Sequence, residues 1–301
     1  SALKSINVNA QLLDYYDNDQ KFDILHLFGA PASFYEICSF LSHSKKLVIS
    51  TVLGANKQPT LKEKIVVPII SKIASIGHQR TDYDRLKFMY NRANHIICLN
   101  KLELQYLVNK YDLPKSKITI INNLVYDDYF KACPDYFINK YKMENFVLYT
   151  GNIVKRKNPL TLAKVLNKIG MPGVFIGNIF NAELEYAGQF EKIISTSKNL
   201  LWIKGLPADD PYLISAYAAA TIFCLPSVSE TQPQSALEAM ACGTPVILGD
   251  YPYAYQLPYE KVMRCNPMDA MSIESSISQI LENPKKYSIH LPKTYTWESV
   301  A

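Results

Sequence analysis

The sequence predicts an α/β protein with two doubly wound parallel sheets. Short apolar runs alternate along the chain with stretches of helical periodicity, a pattern typical of strands joined by crossover helices. The alternation occurs in two series, and each predicts one parallel sheet covered by helices on both faces. The predicted strands lie at 22–28, 47–52, 95–99 and 118–121 in the first series, and at 146–150, 173–177, 200–203, 222–225 and 246–248 in the second.

The segment between the two series predicts the boundary between two domains. Residues 126–144 contain Pro134, several aspartates and no clear strand pattern, as is typical of a connecting segment. We therefore expect an N-terminal domain at 1–130, a linker at 131–144 and a C-terminal domain at 145–301.

Composition and cysteine usage predict a cytoplasmic globular protein. The 301 residues are 48% apolar and 20% charged, which excludes a disordered chain. The six cysteines form no C-x2-C pair and no zinc spacing, so we expect reduced thiols. No apolar run approaches the roughly 18 residues that a membrane-spanning helix needs, and the polar N-terminus lacks the pattern of a signal peptide.

The positive charge is concentrated in the first half of the chain. Residues 45–101 hold eleven Lys or Arg against three acids, a net +8 within a chain whose total is +5. Within this segment, 61–76 mixes lysines with a broad apolar face, which indicates peripheral contact with an anionic membrane. The alternative is a packed surface helix with solvated lysines. No nucleic-acid-binding motif accompanies the charge, so no nucleic acid is expected as a partner.

Motifs of several other enzyme classes are missing from the sequence. It contains no Walker lysine loop, G-x-G-x-x-G, H-E-x-x-H or G-x-S-x-G, which removes most nucleotide hydrolases, dehydrogenases, metalloproteases and α/β-hydrolases. Two D-x-D sequences occur at 17–19 and 82–84, but neither follows a predicted strand. We expect these aspartates to be caps or turn residues, and we expect no metal site.

The most informative segment is 229–250, SETQPQSALEAMACGTPVILGD. Pro233 predicts the start of a helix, and Gly243 predicts its left-handed C-terminal cap before an apolar strand. The free N–H groups of the first turn, near Gln234 and Ser235, favour a phosphate above the helix. The pattern therefore predicts an anion-binding helix.

Two glutamates lie in this segment, Glu230 before the helix and Glu238 within it. Because Glu238 is flanked by apolar residues on a helix that leads into a core strand, its carboxylate should be partly buried and need hydrogen-bond donors. Ribose hydroxyls would supply them. For either glutamate alone, the alternative is a solvated helix carboxylate.

A cationic loop follows the predicted strand at 146–150. It begins with Gly151 and Asn152, continues to Arg156 and Lys157, and leads into a helix start. Fixed cations in such a loop would stabilise the negative charge that builds up on a nucleotide diphosphate when its sugar leaves, with no need for a metal. The alternative is that these cations are solvated.

Segment 229–250 resembles the E-x7-E signature of retaining GT-B glycosyltransferases of the family 4 type, the glycosyl transferases group 1. This resemblance implies two Rossmann-like domains. It also implies that Glu238 binds the donor ribose and that Glu230 is a catalytic residue beside the transferred sugar. The backbone at 231–234, including Gln232, is implied to face the donor.

The resemblance extends to both sides of the signature. The run WIKGLPADDPYLISAYAAATIFCLPS is similar to the family's sequence before the first glutamate, and it places Gly205 and Leu206 where backbone groups meet the base. Nothing before Asp23 resembles the family's first strand and glycine-rich loop, so we expect either a reduced N-terminal domain or a sequence from which this part has been trimmed.

Several positions of the cationic loop and of the active site match or depart from the family pattern. Lys157 matches the family's lysine, which implies a catalytic role at the diphosphate. Asn152 stands where the family has an arginine, and Arg156 is the candidate to replace it. Pro233 replaces a glycine of the signature, and Leu53 occupies the place of a histidine.

The resemblance implies transfer of a sugar from a UDP- or GDP-sugar, with retention, to a polysaccharide or a lipid-linked acceptor. No cofactor is expected besides this donor substrate. Two alternatives remain open: a non-enzymatic partner subunit that binds the donor, and a UDP-N-acetylglucosamine epimerase of the same fold. The E-x7-E pattern favours transfer.

Overall fold

The computed structural model describes residues 6–14, 16–17, 20–29, 31–41, 45–53, 59–77 and 79–300. The chain divides into two compact units, Ser1–Asn122 and Asn123–Ala301. Most of the first D-x-D sequence, at 17–19, lies outside the described residues. Within them, no helix is both long enough and apolar enough to cross a bilayer.

The first unit contains a parallel sheet of four strands in the order β1-β2-β3-β4. All four predicted strands are confirmed. The strands are β1 (Ile24–Phe28), β2 (Lys46–Ser50), β3 (His95–Cys98) and β4 (Ile118–Ile120), and the helices are α1 (Tyr35–Phe40), α2 (Leu61–Ile76), α3 (Asp82–Arg92) and α4 (Lys101–Tyr111).

Helices α2 and α3 each begin at a capping box. The Thr60 side chain accepts from the Glu63 N–H, and Thr81 accepts in the same way from Asp84, while each acid side chain accepts from the backbone N–H of its threonine. These bonds satisfy donors that a helix start otherwise leaves unpaired. The second D-x-D sequence, at 82–84, is therefore a helix cap, as predicted.

The second unit contains a parallel sheet of six strands in the order β10-β9-β8-β5-β6-β7, which is the doubly wound order. The α/β fold class is confirmed. The five predicted strands are β5 (Val147–Thr150), β6 (Gly173–Ile176), β7 (Leu200–Ile203), β8 (Ile222–Leu225) and β9 (Val246–Gly249), and the structure adds β10 (Met263–Cys265).

The helices of the second unit form two groups. The contacts α6–α7 and α6–α10 define one group, and α5–α8 and α8–α9 define the other. The helices are α5 (Asp135–Tyr141), α6 (Pro159–Ile169), α7 (Leu184–Thr196), α8 (Pro211–Ala219), α9 (Gln234–Ala241), α10 (Ala270–Glu282), α11 (Pro284–Tyr287) and α12 (Trp297–Val300).

The segment expected to be a linker, 131–144, packs as part of the second unit. Helix α5 lies within it, and Phe137 is fully buried there. The Phe137 N–H donates to Ser215 Oγ at 2.9 Å, and its ring centroid lies 5.2 Å from that of Phe146. The units therefore divide after Asn122 rather than at 130, because the apolar residues of the segment join the second core.

Candidate active site

The carboxyl ends of β5 and β8 define a switch point in the second sheet. Strand β5 pairs with β6 on one side and with β8 on the other, so the chain runs outward in opposite directions from this pair. Open parallel sheets bind ligands in the crevice that such a reversal leaves above the strand ends. The cationic loop follows β5, and the loop to the signature follows β8.

These two loops are hydrogen-bonded to each other. The Val228 N–H donates to the Arg156 carbonyl at 2.9 Å, and the buried Ser227 hydroxyl donates to the same oxygen at 3.1 Å. The Tyr253 hydroxyl donates to the Ser227 carbonyl at 2.9 Å from a fully buried position. The backbone of both loops is thus fixed by buried bonds.

One carboxylate oxygen joins the three predicted charged residues. Glu230 Oε1 lies 3.0 Å from Lys157 Nζ and 3.0 Å from Arg156 Nη1. The Glu230 and Lys157 side chains are 10% and 17% exposed, whereas that of Arg156 is 47% exposed. Arg156 also donates to the Ser229 carbonyl. The structure therefore brings together side chains that lie far apart in the sequence, with Lys157 the more enclosed cation.

Gly151 makes room for the Lys157 side chain. Its φ of +140° is a conformation that residues with a side chain rarely adopt, and an added Cβ would lie 3.2 Å from Lys157 Cδ. Gly177, at the end of β6, has even less room for a side chain. A Cβ there would lie 1.9 Å from the Gly151 carbonyl oxygen. The neighbouring Asn152 is exposed, and its carbonyl accepts from the Tyr149 hydroxyl at 2.8 Å.

The segment expected to meet the base lies at the same edge of the sheet. The Gly205 N–H donates to Asn178 Oδ1 at 2.9 Å, and Asn178 in turn accepts from the Ile153 N–H at 2.9 Å through its backbone carbonyl. Leu206 is half-buried. The loops after β5, β6 and β7 are thus linked in series, and Asn178 is a linking residue that the sequence analysis missed.

Helix α9 begins at Gln234, with Pro233 as the extended residue before it, one residue later than predicted. Gly243 has the predicted positive φ, +76°. Gln234 and Ser235 are half-buried in the first turn. The helix therefore presents the N–H groups from which an anion site was predicted.

Gln232 is a buried anchor of the signature loop. Its Oε1 accepts from the Asn123 N–H at 2.5 Å, and the Asn123 side chain donates to the Gln232 carbonyl at 2.8 Å. These two hydrogen bonds hold the loop between Glu230 and α9 in place.

Glu238 is buried, and its first partner is a tyrosine. The Tyr217 hydroxyl donates to Glu238 Oε2 at 2.6 Å. Burial raises the pKa of Glu238 to about 7, against hydrogen bonds from Tyr217 and Gln234 that favour the ionised form. The predicted need for donors is thus met in part from inside the protein, and Tyr217 was missed because a buried tyrosine carries no charge signal in the sequence.

In the first unit, Leu53 follows β2 at the carboxyl edge of the sheet. Its N–H donates to the Glu103 carboxylate, which also accepts from the Leu99 N–H at 2.6 Å. Burial raises the pKa of Glu103 to about 7. Glu103 therefore connects the ends of β2 and β3. Among the described residues of both units, no three His, Cys, Asp or Glu side chains come together as a possible metal site.

Comparisons with known proteins agree with this fold. The family model of glycosyl transferases group 1 matches residues 136–290, and the chain belongs to this family. The O-antigen chain mannosyltransferase RfbU of Salmonella typhimurium is 24% identical over 206 residues, covering 67% of this chain and 55% of that protein. The alpha-galactosylglucosyldiacylglycerol synthase of Streptococcus pneumoniae is 26% identical over 172 residues, 54% of this chain and 45% of the synthase.

A similar fold is found in HepE of Anabaena, solved in complex with UDP and glucose. The TM-score is 0.65 at 15% identity, over 92% of this chain and 71% of HepE. The chain spans about half the length of the curated relatives it matches, between 45% and 62%.

Proposed function

We propose that this chain transfers a sugar, with retention of configuration, from a nucleotide-diphosphate sugar to a polysaccharide or lipid-linked acceptor. The second unit would bind the donor, and the first unit the acceptor. The observation that supports this best is the ion-paired group of Glu230, Lys157 and Arg156 at the switch point of the second sheet. Membership in the glycosyl transferases group 1 supports the same reaction class.

The two cations suit the charge that develops in this reaction. The bond between the anomeric carbon and the β-phosphate oxygen breaks, and the acceptor oxygen forms its bond to the same carbon on the same face. The acceptor proton passes to the departing phosphate oxygen, which carries the new negative charge. Lys157 and Arg156 would stabilise that charge from fixed positions, so the reaction needs no metal.

Glu230 would contact the transferred sugar. Its Oε1 is close to both cations but accepts no hydrogen bond from the described residues. A carboxylate oxygen that is held by charge in this way can still accept a hydrogen bond from a sugar hydroxyl. Glu238 would bind the ribose, and the Gly205 and Leu206 backbone would meet the base. HepE was solved with UDP, so UDP and GDP are the first nucleotides to test.

The test is a transfer assay with UDP- and GDP-sugars, in buffer with EDTA, against lipid-linked and polysaccharide acceptors. We expect release of nucleoside diphosphate together with a glycosylated product of the donor's anomeric configuration, read by NMR. Inverted product would contradict retention. Tight donor binding without any turnover would favour the non-enzymatic partner subunit, and interconversion of UDP-sugar epimers would favour the epimerase.

Peripheral contact with an anionic membrane completes the proposal, and helix α2 supports it. Seven apolar side chains of α2 are each between 38% and 81% exposed, whereas its one buried residue is Ser71. They are Leu61, Ile65, Val66, Ile69, Ile70, Ile73 and Ile76. A contiguous exposed apolar face of this kind marks an interaction surface.

Two polar side chains of α2, Glu63 and Ser71, face its own unit instead. Glu63 Oε1 lies 3.3 Å from Lys110 Nζ on α4, and the Ser71 hydroxyl donates to Asp84 on α3. Two of the three acids in 45–101 are thus turned inward, while Lys62 and Lys72 are exposed. This orientation favours an interaction surface over the alternative, an ordinary packed surface helix with solvated lysines.

The lysines beside the apolar face of α2 favour an anionic membrane as its binding partner. At 3.6 residues per turn, Lys62 and Lys72 lie on the same side of α2 as Ile65, Ile69 and Ile73. A second copy of the chain would bring lysines against lysines, whereas anionic headgroups complement them. Each lysine near such a surface contributes about 1 kcal/mol, and apolar burial adds to it.

Co-sedimentation with vesicles tests the membrane contact. We expect binding to vesicles with phosphatidylglycerol, little binding to pure phosphatidylcholine, and release at 1 M salt, where charges are screened beyond roughly 3 Å. Ile69→Asn with Ile73→Asn should abolish binding, and Leu184→Asn, at an exposed apolar residue of α7, should not. No binding to either vesicle would contradict the membrane contact and point to a soluble acceptor or to a protein partner. A dimer lost in the double variant would assign this face to a second copy of the chain.

A further inference from the structure

Three buried side chains in the second unit are linked by hydrogen bonds beneath the proposed donor site. Thr150 Oγ1 lies 2.6 Å from the Tyr217 hydroxyl, which lies 2.6 Å from Glu238 Oε2. The three residues lie on β5, α8 and α9, and all are buried. Thr150 directly precedes Gly151 of the cationic loop. These hydrogen bonds therefore connect the carboxylate expected at the ribose with the loop expected at the diphosphate.

The direction of these hydrogen bonds follows from the protons available. An ionised carboxylate can only accept, so the single Tyr217 proton is donated to Glu238. The Thr150 hydroxyl must then donate to the Tyr217 oxygen. Both bonds point toward the carboxylate, and such a chain strengthens each bond by polarisation.

Tyr217 is itself held in place. Its carbonyl accepts from the Thr244 hydroxyl at 2.6 Å, and its ring packs edge-on against Tyr129 at a centroid distance of 5.6 Å. The Tyr217 ring also contacts the Phe223 ring at a centroid distance of 5.8 Å. The hydroxyl therefore has a fixed position from which to orient Glu238.

Among the described residues, the groups that interact with the charge of Glu238 include no cation to take over this task. The titratable groups that interact with its charge are Tyr129, Tyr217, Tyr259 and Cys242, and burial raises the pKa of each. They remain neutral at pH 7. The nearby cations of the site, by contrast, contact Glu230. A buried carboxylate without a cation depends on hydrogen-bond donors to stay ionised.

We propose that Tyr217 is a positioning residue for the donor nucleotide: its hydroxyl keeps Glu238 ionised and oriented for the ribose, and Thr150 ties that bond to the diphosphate loop. This inference rests on the proposed donor site. If so, nucleotide binding depends on pH through the ionisation of Glu238, and the Tyr217 hydroxyl sets the pH at which the affinity changes.

The size of the effect follows from one hydrogen bond. At the low end of its strength, a hydrogen bond to a charged acceptor shifts the pKa of that acceptor by about one pH unit. Tyr217→Phe should therefore raise the pKa of Glu238 by about one pH unit. With half of the carboxylate ionised at pH 7 before the change and about a tenth after it, affinity should fall about fivefold at pH 7 and recover near pH 9.

Calorimetric titration of UDP and GDP at pH 7 and pH 9 tests this inference. Tyr217→Phe should weaken binding at pH 7 and approach the unmodified protein at pH 9, while Glu238→Gln should be weak at both. Tyr129→Phe is the matched control, since it removes a neighbouring buried hydroxyl that donates to the Ala208 carbonyl. Any loss in this control should not recover at pH 9.

The outcomes separate the two proposals. If the unmodified protein binds neither UDP nor GDP, the proposed donor site is wrong and the role of Tyr217 falls with it. If it binds and Glu238→Gln weakens binding while Tyr217→Phe has no effect, only the positioning role is overturned. A loss in Tyr217→Phe that is equal at both pH values would mean a packing defect and would overturn it as well.

Discussion

Replacing Lys157 by methionine tests the diphosphate site through its most enclosed cation. Methionine keeps an unbranched side chain over Gly151, which leaves 3.2 Å between an added Cβ and the lysine Cδ, and it removes the charged ammonium group with its hydrogen-bond donors. The lysine lies 3.0 Å from Glu230, so the substitution also leaves that carboxylate with Arg156 alone.

The expected loss follows from the contact removed. A hydrogen bond to a charged group is worth about 1.5 to 3 kcal/mol, so the Kd for UDP or GDP should rise roughly 10- to 150-fold. The matching nucleoside has no phosphate to contact Lys157, and its Kd should change less than about twofold. Titration calorimetry with each nucleoside and its diphosphate measures both values.

Two neighbouring cations serve as controls. Lys155→Met, at an exposed position of the same loop, should leave both Kd values unchanged. Arg156→Met should have a smaller effect than Lys157→Met, because the arginine side chain is 47% exposed against 17% for the lysine. Equal weakening of nucleoside and diphosphate by Lys157→Met would refute the assignment of this lysine to the phosphates, and a larger effect at Arg156 would transfer it there.

Further substitutions test the packing and the buried charge. Gly177→Ala should abolish diphosphate binding and lower Tm, because its Cβ would meet the Gly151 carbonyl at 1.9 Å, whereas Gly188→Ala on α7 has open space and should not lower Tm. Glu238→Gln should remove a pH dependence of the unfolding free energy. The raised pKa of about 7 means that unfolding free energy falls as pH rises from 4.5 to 7, so the unmodified protein should lose about 1 to 3 kcal/mol relative to the variant over that window in urea titrations. Phe137→Ala should cost about 3 to 5 kcal/mol of unfolding free energy, and a loss under 1 kcal/mol would mean that 131–144 is a linker after all.

Much of the second sheet could be predicted because its strands are short, apolar and bounded by turn residues. Strand β10 was missed since its three residues include Arg264 and give no apolar run. Helix α5 was missed because Pro134 and the aspartates near it indicated a connecting segment, although Phe137 of this segment packs in the core. Local composition thus identified the polar residues of that segment but not the apolar side chains that pack it into the core.

The site was predictable by residue type but not by pairing. Glu230 and Lys157 were each identified from a motif, yet their contact depends on β5 and β8 being neighbours, which is a property of strand order. The need of Glu238 for donors was predicted correctly, whereas its donor Tyr217 comes from a different helix. Periodicity predicted an apolar face on α2 but left open whether this face contacts a membrane or packs against the protein, and in the structure the face is exposed.

The most direct test of the donor site is calorimetric titration of UDP and GDP into the unmodified chain in the presence of EDTA. We predict that one of them binds with a stoichiometry near one per chain, more tightly than its nucleoside, and that Lys157→Met and Glu238→Gln each weaken binding at least about tenfold. Failure of both diphosphates to bind, or full affinity in both variants, would contradict a donor site built on Glu230, Lys157 and Glu238.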